Sequence, residues 1–228
     1  MKIRSNAPEI MDDLQMEGPV LRKTLKTLAR INALLGGDNV SVKGVKHLVR
    51  RKDRIGNLHL IDLGCGEGSQ LRVLADFSRK LKLNWRFTGV DANADCIAFA
   101  KERSQSYPEI EYLQQDVFNW EMPDCDMVLA TLFMHHFDDQ QIIEMINSSV
   151  DKVSYGWIIN DLQRSRIAYG LFWLLGLFIR NKMVRHDGLL SIKKGFKKEE
   201  LFTLSEKIQM QPEVSWNWAF RYLWTLKK

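Results

Sequence analysis

The chain has 228 residues, 45% hydrophobic and 27% charged. That balance belongs to a globular protein with a core of its own, and it excludes collagen-like, disordered and disulfide-scaffold chains. Lys and Arg number 33 against 28 Asp and Glu, so the net charge of +5 permits an anionic partner without requiring one. Cys65, Cys96 and Cys125 follow no metal or redox spacing, so no metal site is expected and a reducing, cytoplasmic setting is. The opening MKIRSNAPEIMDD turns acidic where a signal peptide would turn apolar.

Residues 9–53 read as helical. Leu21, Leu25, Leu28, Ile31 and Leu35 recur at three- and four-residue steps, and Gly36-Gly37 ends that stripe. A second helix over 40–54 carries Lys43, Lys46, Arg50, Arg51, Lys52 and Arg54, which fits a solvated face or a nucleic-acid contact. From residue 58 the rhythm changes. Strands are predicted at 58–63, 85–90, 110–113, 126–130 and 153–159, with helices at 69–81, 94–105 and 139–148. Such alternation gives an α/β fold, a parallel sheet with helices on both faces that binds ligands at the carboxyl ends of its strands.

After residue 161 an apolar helix is predicted over 164–182. Its run 167–179 (IAYGLFWLLGLFI) reaches about 20 Å as a helix, short of the roughly 30 Å of a bilayer core. A helix apolar on nearly all sides is buried, lines an apolar pocket, or lies on a membrane as a peripheral contact. An amphipathic helix at 197–207 and a hairpin over 210–226 complete the chain. The whole, 1–228, reads as one domain. It comprises a helical cap (9–53), a βα core (57–160), an apolar helical insertion or lid (161–207) and a closing hairpin (208–228).

The sharpest motif is Asp62-Leu63-Gly64-Cys65-Gly66-Glu67-Gly68-Ser69, between a strand and a helix. Glycines there allow a tight turn and bring backbone N–H groups close to a ligand, although a plain strand–helix turn looks the same. The dinucleotide fingerprint needs glycine where this chain has Ser69. Asp62, Glu67, Asp91 and Asp116 gather at the expected pocket, a poor setting for a pyrophosphate. S-adenosylmethionine (SAM) carries a sulfonium and an ammonium against one carboxylate, and suits acidic groups beside exposed N–H groups. Asp91 ends the second strand and offers two acceptor oxygens to a ribose. Asp116 follows the third and can accept from an adenine amino group; a helix cap and a turn are the structural alternatives for the pair.

These three segments, DLGCGEGS, GVDAN and QQDVF, resemble the class I SAM-dependent methyltransferases, over about residues 57–160. The resemblance implies a Rossmann-like, doubly wound sheet of seven strands, the last one antiparallel. By position it implies that Asp62, Gly64, Cys65, Gly66 and Gly68 hold the methionine part. Asp91 with Ala92 would hold ribose, Asp116 and Val117 would flank adenine, and Thr131 and Leu132 would border the methyl group.

For the acceptor, His135-His136 follows the fourth strand, where an imidazole can take a hydroxyl proton, or where one ring caps a helix and the other packs. His186 beside Asp187, and Asp161 at the end of the fifth strand, are the other candidates. The candidate catalytic residues are therefore His136, His186 and Asp161. The fourth strand ends in Ala-Thr-Leu-Phe, not the Asn/Asp-Pro-Pro-Tyr loop of base and amide methylases, and no cysteine stands ready for cytosine chemistry. That disfavours a nucleic-acid substrate. The expectation is O-methylation of a small apolar acceptor, aromatic or polyketide/quinone-like; a diffuse resemblance to quinone and polyketide methyltransferases agrees. An RNA methyltransferase using the basic N-terminal face, or a non-catalytic partner protein, are the alternatives.

Overall fold

The computed structural model describes residues 1–49 and 56–228. The segment 9–53 is not one helical stretch. A single 3-10 turn, Ile10–Asp12, is followed by a turn at Leu14-Gln15, and α1 (Gly18–Leu34) begins with Pro19 in its first turn. The residue before a proline avoids helical geometry, which sets this late start; Gly18 has φ of 82° and donates its N–H to Asp95. The helix α2 (Gly37–Val49) follows. Arg50, Arg51, Lys52 and Arg54 of the basic cluster lie outside the described residues.

The core alternates as expected: β1 (His59–Leu63), α3 (Ser69–Lys80), β2 (Arg86–Asp91), α4 (Ala94–Arg103), β3 (Ile110–Gln114), β4 (Cys125–Thr131), α5 (Asp139–Asn147) and β5 (Val153–Leu162). After it come α6 (Arg166–Gly176), α7 (Lys182–Lys194), α8 (Lys198–Ser205), β6 (Gln211–Asn217) and β7 (Arg221–Lys227). The long apolar helix expected over 164–182 is thus shorter. Asn181 accepts from the N–H groups of Met183 and Val184 and starts a new helix, which places His186-Asp187 inside α7.

The seven strands run in the order β3-β2-β1-β4-β5-β7-β6. The first five pair in parallel, and β7 is antiparallel to both β5 and β6. The β6–β7 turn holds Ala219 and Phe220 at φ of 61° and 56°, left-handed values that suit the twist of a hairpin. Successive strand residues serve opposite faces. Ile61, Val128, Trp157 and Trp224 enter one apolar cluster, whereas Leu60, Met127, Leu129 and Leu223 enter the other. On the second face α2 lies hard on β5, since a Cβ at Gly44 would stand 2.4 Å from Ile158. Chain order reverses direction at β1, which neighbours β2 on one side and β4 on the other. The crevice of a doubly wound sheet opens at such a point.

Candidate active site

A cavity of about 820 Å³ opens at those strand ends. Its first wall is the glycine loop. Gly64 and Gly68 have φ of 67° and 75°, and a Cβ on either would stand 2.1 Å from Phe133 or from the Tyr112 hydroxyl. Both positions therefore demand glycine on conformation and on space. The turn leaves Ser69 and Gln70, at the start of α3, on the cavity wall, where helix N–H groups lack partners of their own.

Asp91 pins this loop. One carboxylate oxygen accepts from Gly66 N–H at 2.9 Å and the other from Asn93 N–H at 2.9 Å. Asn93, not Asp91, caps α4, accepting from Cys96 N–H. Burial raises the Asp91 carboxyl, and the two N–H groups partly offset it. Asp62 is buried with no partner on Oδ1. Burial pushes its carboxyl well above the ordinary range and Asp91 adds to the push. Glu67 belongs elsewhere. Its oxygens meet Arg72 at 2.8 Å and Arg103 at 3.1 Å, so its charge is spent inside the protein and drops out of the acidic-pocket argument.

Asp116 is exposed on the rim and accepts from Phe118 N–H and the Asn119 amide. Cys65, Ala92, Val117, Thr131 and Leu132 all line the cavity; Gly68 does not, and serves as the N-cap of α3. Leu132, with φ of 53°, turns the chain out of β4, and its N–H reaches Asn160 O at 2.9 Å. Thr131 Oγ1 meets Ser41 Oγ of α2 at 3.2 Å.

Beyond Leu132 the two histidines part company. His135 is buried, with Nδ1 on Asp161 at 2.7 Å and Nε2 facing Glu9 at 3.6 Å. Burial alone would lower its pKa; Asp161 and Glu9, one on each side, override that and hold it at about 9. His136 shares the cavity wall with His135 but is less buried, its Nδ1 against Asp12 at 2.6 Å. Burial would raise the Asp12 carboxyl, but the His136 hydrogen bond and Glu9 N–H hold it well below the usual carboxylate range. Neither histidine caps α5; Asp138 does, accepting from Gln141 N–H.

Asp161 does not reach the cavity. It is fully committed behind His135, accepting also from the His135 and Leu162 N–H groups. His186 is exposed on α7, hydrogen-bonded to Asp187, and is not part of the cavity wall. Asp187 meanwhile accepts from Ile10 and Met11 N–H and so anchors the N-terminal segment. Glu9 and Asp12 were missed in the sequence; an acidic pair three residues apart was their one signal.

Glu9, His135 and His136 bring ligand-type atoms within 4.8 Å of one another. Lys194 Nζ lies 3.6 Å from Glu9 and 3.3 Å from Asp12, so an ammonium already supplies positive charge there. The group reads as an ion-pair network.

The donors test the cofactor inference directly. An unpartnered buried carboxylate at Asp62 suits an ammonium, and the N–H groups at the start of α3 suit a carboxylate. These residues fit SAM.

Residues 60–153 match the family model described as "Methyltransferase domain". A 2-phytyl-1,4-naphtoquinone methyltransferase of Thermosynechococcus vestitus is 43% identical over 56 residues, 25% of this chain and only 24% of that relative's length. Among solved structures, the plantazolicin methyltransferase BpumL in complex with SAH superposes with a TM-score of 0.69 at 14% identity, covering 90% of each chain. The magnesium protoporphyrin IX methyltransferase of Synechocystis with bound SAM gives 0.58 at 14% identity, covering 96% of this chain and 89% of that one. A SAM-dependent methyltransferase from Aquifex aeolicus gives 0.62 at 14% identity, covering 90% and 97%. The chain therefore has the class I methyltransferase fold. Within that fold, residues 60–153 resemble a methyltransferase domain.

Proposed function

We propose that the protein O-methylates a small apolar acceptor with an aromatic, polyketide- or quinone-like ring. One observation carries the reading. The cofactor cleft runs without a break into an apolar chamber walled by Leu21, Leu25, Leu28, Phe172 and Ile192, with His136 on its wall. In this reading Asp62 meets the ammonium, Asp91 the ribose hydroxyls, and Asp116 with Val117 the adenine. Thr131 and Leu132 border the methyl group. When bound, SAM supplies a methyl group activated by a sulfonium.

The chain itself aligns the acceptor, excludes water and receives a proton. Asp12 accepts from His136 Nδ1–H and so leaves Nε2 as the basic nitrogen. In that tautomer Nε2 takes the acceptor's hydroxyl proton as the new C–O bond forms. Asp12 is a positioning residue, and His135, clamped between Glu9 and Asp161, holds the stretch that carries His136. The RNA alternative gains no support from the described part of the basic face: Lys43 is bonded to Asn217 and Lys46 lies over the Phe77 ring.

The test is transfer of labelled methyl from SAM to a panel of phenols, hydroxyquinones and hydroxypyrones, read by mass spectrometry. A methoxy product is expected. His136→Ala should lower kcat by roughly 10²–10⁴-fold with SAM affinity unchanged. Methylation confined to carbon or nitrogen acceptors, or full turnover in His136→Ala, defeats the assignment.

A further inference from the structure

The helix α6 and the turn after it carry an apolar face outward. Ile167, Trp173, Leu174, Leu177 and Phe178 are each more than half exposed, Phe178 at 85%. Proteins that stay single in water rarely present such a patch without a use for it. Its charge is one-sided. No acidic residue occurs between Gln163 and Asp187, whereas Arg166, Arg180 and Lys182 are exposed and carry no ion pair among the described residues. The patch also meets the cavity. Leu171 and Leu175 line the chamber and yet are 54% and 37% exposed; Trp218, another lining residue, is 71% exposed.

We propose that α6 and the turn after it, residues 167–179, seat the protein on an anionic lipid bilayer, with the chamber mouth opening onto that surface. Apolar side chains enter the interface while flanking cations meet anionic headgroups. A second copy suits the patch less well, because a two-fold contact would bring the cations Arg166, Arg180 and Lys182 of one copy toward those of the other, with no acidic partner in the segment. Docking rests on the surface alone. Entry of the acceptor from the lipid side rests on the acceptor class proposed above.

The experiment cosediments the full chain with phosphatidylcholine vesicles, with and without phosphatidylglycerol, at low and high salt. It needs neither cofactor nor turnover, so it stands apart from the methyltransferase reading. Binding is expected to favour the anionic vesicles at least tenfold and to weaken with salt. Arg180→Glu and Lys182→Glu should each cost about fivefold or more, and Leu174→Asp with Phe178→Asp should abolish binding, with circular dichroism melts matching the parent. The parent gives a second readout: its tryptophan emission should shift to the blue on anionic vesicles, less so in Trp173→Phe. Three results overturn the proposal. They are no binding by the parent, equal binding to both vesicle types, or a concentration-dependent dimer that Phe178→Asp dissolves.

Discussion

Asp62 Oδ1 is a buried oxygen that no protein donor meets. Leaving such a group unpaired is costly, so a partner from outside is the economical explanation. Because burial raises the Asp62 carboxyl in the free protein, an arriving ammonium favours its ionised form and binding releases a proton. Calorimetry in buffers of different ionisation heat should show that release, with SAM affinity rising as pH increases. Asp62→Asn should remove the proton release and weaken SAM by about 1.5–3 kcal/mol, the usual worth of a charged hydrogen bond. Unchanged affinity in that variant would refute the contact. Asp12 tests the other half of the site. Asp12→Asn keeps the size but loses the charge opposite His136, so kcat should fall while the SAM dissociation constant stays put.

At the scale of elements, the glycine loop was readable because it is local: strand, turn and helix follow within a dozen residues. Gly68→Ala should destabilise the protein by about 1–3 kcal/mol, from left-handed strain and the Tyr112 hydroxyl in its path, read as a lower melting temperature. The α6–α7 pair was not readable. The apolar run looked continuous, and the break depends on Asn181 capping the second helix, a choice that three-residue steps do not reveal. The two helices close on Gly188, where a Cβ would stand 2.3 Å from the Phe172 ring. Both residues line the chamber. Gly188→Val should push that ring inward and raise the acceptor KM severalfold with SAM affinity unchanged; steady-state kinetics against each substrate separates the two.

Across the whole molecule, the ion-pair network ties together parts of the chain that sequence reading kept apart. Glu9 and Asp12 come from the N-terminal segment, His135 and His136 from the end of β4, Asp161 from β5, Lys194 from α7. The histidine pair was visible in the sequence, but its partners lie more than 20 residues away, where no spacing rule reaches. The network makes stability depend on pH. His135 titrates near 9 in the fold against about 6.5 when free, so its contribution is complete below about pH 6.5 and is lost as pH rises through 9. Asp161 and Glu9 are lowered, so theirs is present at neutral pH and lost in acid. Thermal melts should decline from pH 6.5 to 9.5, and His135→Gln should melt lower at pH 6 and flatten that decline. Parallel profiles for parent and variant would contradict it.

The family model covers 60–153, yet much of the chamber wall comes from residues 9–35 and 162–221. On the function proposed above, cofactor handling and acceptor choice are written on separate stretches of chain. Chimaeras are the consequence: exchanging the flanking stretches together between related enzymes would transplant selectivity while leaving nucleotide binding intact. Swapping one flank alone would leave Glu9 and Asp12 facing strangers.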